Sequence, residues 1–227
     1  MMRRLRDVAN REGGLTMIEL LVAMGLFAVL LTIVVGTFVS ITKATSFAAA
    51  RDTNTRVATN GMDELTKMIR SAADNPVVGA GDTPAFTVAG PETMTFSTLV
   101  SSGRDAVPQQ ITFALDGARN LTETSAAASA NGTYFTFGTP GAARVVTASV
   151  GATPSGGDPL FQYRDGGGNV LTPSTTTNQL TLDQRNQIAS VTVTLRIANT
   201  RSTLTNGVVL KNTIGLPNLL EPTGSST

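Results

Sequence analysis

The chain has 227 residues, 41% of them apolar and 15% charged, with 5% aromatic residues and a net charge of +1. That composition describes a folded protein with one sizeable domain and an appendage, and it lacks the basic footprint and stacking aromatics of a nucleic-acid binder. With no cysteine and no histidine in the sequence, disulfide staples, thiol nucleophiles, Ser-His or Cys-His catalysis and ordinary zinc sites are excluded together.

The first segment is a polar leader, "MMRRLRDVANREGG", in which Arg3, Arg4, Arg6 and Arg11 outweigh Asp7 and Glu12. Leu20 to Thr42 then run for 23 residues without a charge or a proline. As a helix this is about 35 Å at ~1.5 Å per residue, enough to cross a bilayer core of roughly 30 Å. The arginine excess places the leader in the cytoplasm and everything after Lys43 outside. A cleaved secretory signal, with Ala48 and Ala50 as an A-x-A site, calls for a shorter apolar core than this one. A plain signal anchor accounts for the length and the arginines but not for Glu19, since a carboxylate is costly in hydrocarbon, roughly 2.5–3.5 kcal/mol for an aspartate at a helix centre.

Gly14-Leu15-Thr16-x-x-Glu19, running straight into that apolar helix, resembles the type III signal of type IV pilins and type II secretion pseudopilins. The resemblance implies that a prepilin peptidase cuts between Gly14 and Leu15 and methylates the new N-terminus at Leu15, where phenylalanine or methionine is usual. It also gives Glu19 a role. Cleavage creates a cationic amine at Leu15, and a carboxylate four residues along a helix lies near it or near the amine of an adjacent subunit. Glu19, with Thr16 beside it in the motif, is then an assembly residue. The plainer alternative is a carboxylate snorkelling to the membrane edge. Implied partners are other pilins or pseudopilins, the prepilin peptidase, an inner-membrane assembly platform and membrane lipid; no cofactor is implied.

Independently of that likeness, Ala28, Thr32, Gly36, Ser40, Ala44 and Ala48 recur every four residues. They form a ridge of small side chains along which another helix can approach, winding about 40° per step because a turn holds 3.6 residues. Small residues are also common in any membrane helix. Gly36 falls where many major pilins have a helix-breaking proline.

Beyond the span, Val57, Met62, Leu65, Met68 and Ile69 among charged residues fit an amphipathic helix. The reading is one helix from Leu15 to about Ala73, stopped by "DNP" at 74–76. The expected organisation is a leader at 1–14, a transmembrane and assembly helix at 15–43, its amphipathic continuation at 44–75, and a β-rich extracytoplasmic head at 76–227. Nine strand-like runs, from "AFTVA" to "TLTNGVVLKNTI", alternate with Gly, Pro, Ser and Asn clusters, so the head reads as mostly antiparallel sheet. Val191, Val193, Leu195 and Ile197 share one face, with Thr192, Thr194 and Arg196 opposite, as a half-covered sheet requires. The expected fold class is α+β: a long N-terminal helix, membrane-spanning in its first half, packed on an antiparallel head, pilin-like.

Three head segments, Ile111 to Leu121, Phe161 to Asp165 and Val208 to Asn212, resemble J-type minor pseudopilins and PilW-like minor pilins. The Ala-, Gly-, Thr- and Ser-rich stretch 122–160 resembles nothing named. Scattered carboxylates without metal or phosphate spacing argue against an active site and an anchored hydrolase. Asp165 and Asn169 in "RDGGGN" are weak calcium candidates, better explained as a glycine-rich hairpin turn. "NLT" at 120 and "NGT" at 131 fit the glycosylation sequon, as a Thr-rich chain does by accident. The sequence thus reads as a structural minor pilin or pseudopilin that joins or primes a fibre, with a signal-anchored extracellular binding or adhesin domain as the alternative.

Overall fold

The structure is a computed structural model describing residues 16–75, 83–101, 106–131, 134–197 and 207–219. The protein is α+β, with one long N-terminal helix and antiparallel sheets. The chain divides into two compact units between Ala49 and Ala50.

Helix α1 spans Met17–Arg70 and crosses that division. In the first unit none of residues 16–49 is buried. In the second, Ala58, Gly61, Met62, Leu65 and Ile69 are buried, a three-and-four spacing that keeps one stripe facing the core. Lys67 and Arg70 occupy the last turn, where cations complement the helix dipole. The helix ends at Arg70, short of the expected Ala73 and before Pro76. Ser71 and Ala72 donate back to Met68 and Ile69, tightening the last turn. Ala73 then donates to Ser97, and Ala72 bridges Thr98. Capture of the backbone by a neighbouring strand ends the helix, not the proline.

That strand belongs to the first sheet, built from β1 (Phe86–Ala89), β2 (Thr93–Ser101), β3 (Ala106–Leu115), β4 (Leu121–Asn131) and β5 (Tyr134–Phe137), paired in that order. The strand β6 (Arg144–Thr147) also pairs with β4. The second sheet takes β7 (Phe161–Arg164), β8 (Val170–Leu171), β9 (Ser190–Ile197) and β10 (Val208–Gly215) in the order β10-β9-β7-β8. A four-residue helix, α2 (Leu182–Arg185), precedes β9 and opens with a capping box between Thr181 and Gln184.

The second half of α1 meets both sheets. A side chain at Gly61 would come within 3.1 Å of Thr147 on β6 and 3.4 Å of Leu195 on β9, so the lack of a Cβ sets how close the helix can lie. Asn212 on β10 donates to Thr66 Oγ1 at 3.1 Å, and Arg144 on β6 bridges Glu64 of α1 (2.7 Å) and Glu123 of β4 (2.6 Å). Phe86, Phe96, Phe113 and Tyr163 form the aromatic core, with ring centroids 5.5–6.1 Å apart. The Tyr163 hydroxyl donates to the Gly90 carbonyl at 2.9 Å, joining the sheets. Burial pushes the Tyr163 phenol well up, so it remains a neutral donor.

The alternation expected on β9 is present, but the two threonines of its polar face are not open to water, while Arg196 is partly exposed. Thr192 and Thr194 are buried along with Val191, Val193 and Leu195. β9 is central, flanked by β10 and β7. The short threonine side chains therefore lie among longer cross-strand neighbours, Lys211 opposite Thr194 and Gln162 opposite Thr192.

Candidate processing and assembly site

The candidate site is the start of α1. Of the expected residues, Gly14 and Leu15 lie outside the described residues, while Thr16 and Glu19 lie within them. Thr16 precedes the first helical residue, and the Glu19 amide donates to its Oγ1 at 3.3 Å. In return Glu19 Oε2 accepts from both the Thr16 backbone N–H and its hydroxyl, each at 3.1 Å. This is a capping box, in which a hydroxyl and a carboxylate three residues apart satisfy backbone donors that a helix N-terminus leaves free. Both residues are exposed. Glu19 also lies in the first turn, where a negative charge is favoured by the helix dipole.

Glu19 therefore has local partners before any neighbour arrives, a point the sequence reading missed. The signal was present: a threonine three residues ahead of a glutamate, directly before an apolar run, is the capping-box pattern. Both contacts fall on Oε2, so the cap does not use the second carboxylate oxygen, Oε1.

Downstream, Leu21, Phe27, Leu30, Val34, Phe38 and the other large apolar residues of this half are exposed. Among the described residues α1 is the one helix long and apolar enough to cross a membrane. Its threonine hydroxyls are internally satisfied: Thr32, Thr37, Thr42 and Thr45 donate to the carbonyls of Ala28, Ile33, Phe38 and Ile41 at 2.8–2.9 Å. Ala28, Thr32, Gly36 and Ser40 are all exposed, and the Cβ position of Gly36 has nothing within 4 Å.

Residues 9–35 match the prokaryotic N-terminal methylation motif. No curated protein and no solved structure matches the chain. The match covers the stretch before Thr16, the capping box and Leu20 to Val35 of the apolar run. It supports a type IV pilin-like precursor, with processing by a prepilin peptidase, assembly with other pilins and anchoring in the membrane through the apolar helix. The long apolar N-terminal helix and antiparallel sheets are consistent with a pilin-like fold. Proteins carrying this motif are structural subunits.

In the head, Asp165 and Asn169 close a turn on each other. Asp165 Oδ1 accepts from the Gly167 and Asn169 amides, and Oδ2 from the Asn169 side chain at 3.0 Å. Hydrogen bonding, first from the Asn169 side chain, holds this carboxyl below its ordinary range. Asp116 and Asn120 repeat the arrangement between β3 and β4. Among the described residues no group of three or more carboxylates, histidines or cysteines is placed to hold a metal ion.

Proposed function

We propose that the protein is a minor pilin or pseudopilin, most like the J-type and PilW-like subunits, that joins or primes a type IV pilus-like or type II secretion fibre. In this reading residues 1–14 are a cytoplasmic leader and residues 15–43 hold the precursor in the inner membrane. Residues 44–75 connect to the head at 76–227, outside the cytoplasm. The prepilin peptidase cuts after Gly14 and methylates Leu15, and the assembly platform feeds the subunit into a fibre of companion pilins.

The observation that carries this reading is the capping box at Thr16–Glu19, lying inside the methylation motif and opening directly into an exposed apolar helix. The cap starts the helix immediately after the proposed cut, so the helix begins on the mature side of the scissile bond. After cleavage the Leu15 amine is one residue from the cap, and Glu19 Oε1 is its acceptor, in the same chain or the next. The ridge Ala28, Thr32, Gly36 and Ser40 gives neighbouring stems a close approach in the membrane and in the fibre.

Mass spectrometry of the N-terminus of protein from cells with an active prepilin peptidase tests the reading. The expected species begins at N-methylated Leu15, and Gly14→Ala retains the leader. An N-terminus at Met1, or one at Arg51 from signal-peptide cleavage, removes it.

A further inference from the structure

The outer face of the second sheet gathers positive charge around one carboxylate. Leu195 faces the helix at Gly61, so by strand alternation Thr192, Thr194 and Arg196 face the other way. Across β10, Lys211 lies opposite Thr194 and Val209 opposite Arg196. Lys211 Nζ contacts Asp158 Oδ2 at 2.7 Å, with both side chains close to half exposed. Arg196 and Arg164 also act electrostatically on Asp158, which Lys211 and then these arginines hold below the ordinary carboxylate range. Lys211 thus holds the one acid, with Arg196 on the same face two residues along β9 from the residue opposite Lys211.

Asp158 does not belong to the sheet's regular strands. It is presented by the loop Ser155-Gly156-Gly157-Asp158-Pro159, in which Gly156 takes a φ of 71°. A second observation points to the same place. Thr194 is 3% exposed and its hydroxyl has no partner among the described residues, a state native proteins rarely leave uncompensated.

We infer that this face is a docking surface for an acidic segment of a partner protein, and that Asp158 occupies it in the free chain as a tethered stand-in for the partner's carboxylate. The resident group is a carboxylate carried on a peptide loop, so the occupant that fits is another peptide-borne aspartate or glutamate. Arginine forks suit such a group. Arg196 is free to turn to it, whereas Arg164 already donates to Gly168 O and Gln162 Oε1. Nucleic acid fits poorly because the rings of this sheet, Phe161 and Tyr163, are buried on the core side, leaving nothing for bases to stack on. Val209, 56% exposed beside Arg196, offers the apolar contact of a peptide-binding rim. Because the partner's carboxylate must displace Asp158, an exposed ion pair of modest strength, the surface is self-screened until a stronger acidic ligand arrives. The inference stands apart from the fibre reading, since no part of it uses the methylation motif or the apolar half of α1.

The test uses the full chain in detergent micelles and fluorescence anisotropy of a labelled short poly-glutamate peptide, with poly-glutamine, inorganic phosphate and a short DNA duplex as comparison probes. Asp158→Asn, which vacates the cradle, should tighten poly-glutamate binding by roughly three- to fivefold, the size of one exposed ion pair. The double variant Arg196→Gln with Lys211→Gln should lose binding. Arg196→Lys with Lys211→Arg keeps both charges and should retain most of it, separating lost recognition from lost folding. Poly-glutamine should not bind. Unchanged affinity in Asp158→Asn, binding indifferent to the double neutral variant, absence of poly-glutamate binding in all variants, or preference for phosphate or duplex DNA would each overturn the inference.

Discussion

Between Met17 and Ala49, α1 leaves Leu21, Phe27, Leu30 and Val34 bare; between Ala50 and Arg70 it buries Ala58, Met62, Leu65 and Ile69. The backbone is the same element throughout, so the difference lies in what satisfies the apolar residues. Fully burying a large apolar side chain is worth about 1.5–3 kcal/mol. In the second half the protein's own sheets supply that burial. In the first half none of the described residues does, and a membrane is the surrounding that its length and apolarity suit.

The largest effect expected from breaking this comparison is at Leu65, fully buried under the head. Leu65→Ala should lower head stability by about 2–5 kcal/mol through lost burial and a residual cavity, read as a fall in thermal midpoint, while membrane insertion stays normal. Leu31→Asp in the bare half should do the reverse. It places a carboxylate in hydrocarbon at a cost of about 2.5–3.5 kcal/mol, so the inserted fraction in a protease-protection assay should drop while the head melts as before. If Leu31→Asp destabilised the head, the two halves would not be independent.

A finer separation is available at Glu19. Glu19→Gln preserves the capping box, because glutamine serves at that position as glutamate does, but removes the charge. Glu19→Val removes both, and losing a cap costs about 0.5–2 kcal/mol of helix stability. Both variants should be cleaved after Gly14, and both should lose crosslinks to companion pilins if the Leu15 amine needs an anion. Normal crosslinking by Glu19→Gln alone would assign the residue to helix capping. Two of the three glycines in α1, Gly36 and Gly61, give a smaller contrast. Gly36→Ala, with open space around it, should stabilise the helix by about 0.5–1 kcal/mol. Gly61→Leu meets Thr147 and Leu195 and should cost about 1–3 kcal/mol by overpacking.

The smallest expected effect is in acid. Asp116 is held below its ordinary 3.8 chiefly by hydrogen bonds from the Asn120 backbone, and Asp165 chiefly by the Asn169 side chain. A depressed folded pKa means that the stabilisation is present above the ordinary value and is lost as pH falls through the folded one. Protection of the Ala118 and Gly167 amides, measured against their intrinsic exchange rates, should therefore fall below about pH 4, with the buried stripe of α1 unchanged. An equal fall in α1 would mean that these loops are not local units.

Periodicity carried much of the fold. The alternation in "SVTVTLRI" and the spacing of Met62, Leu65 and Ile69 each record which face meets a core, and that is physics local to the segment, whereas Val57, read into the same stripe, is exposed and Ala58 is buried in its place. What escaped was set by distant partners. β4 continues through "SAAASAN" to Asn131, although alanine is a poor strand former, because β5 pairs along that stretch. α1 stops at Arg70 because β2 takes its backbone. At the candidate site, Glu19 stood out as an unusual charge, but its local partner was overlooked even though Thr16 and Glu19 show the pattern. The methylation signal was legible because a peptidase reads a short linear stretch.

The threonines of the apolar half have one more consequence. Thr32, Thr37, Thr42 and Thr45 each return their hydroxyl to a carbonyl one turn earlier in their own helix. A hydroxyl committed in this way has no proton left to give a neighbouring stem, although its oxygen can still accept. Along the apolar run that leaves Ser40 as the hydroxyl with a proton to offer. Preference for a particular companion would then be written mainly at the polar ends of the helix, at Ser40 or on the head, while the rest of the run offers contour alone.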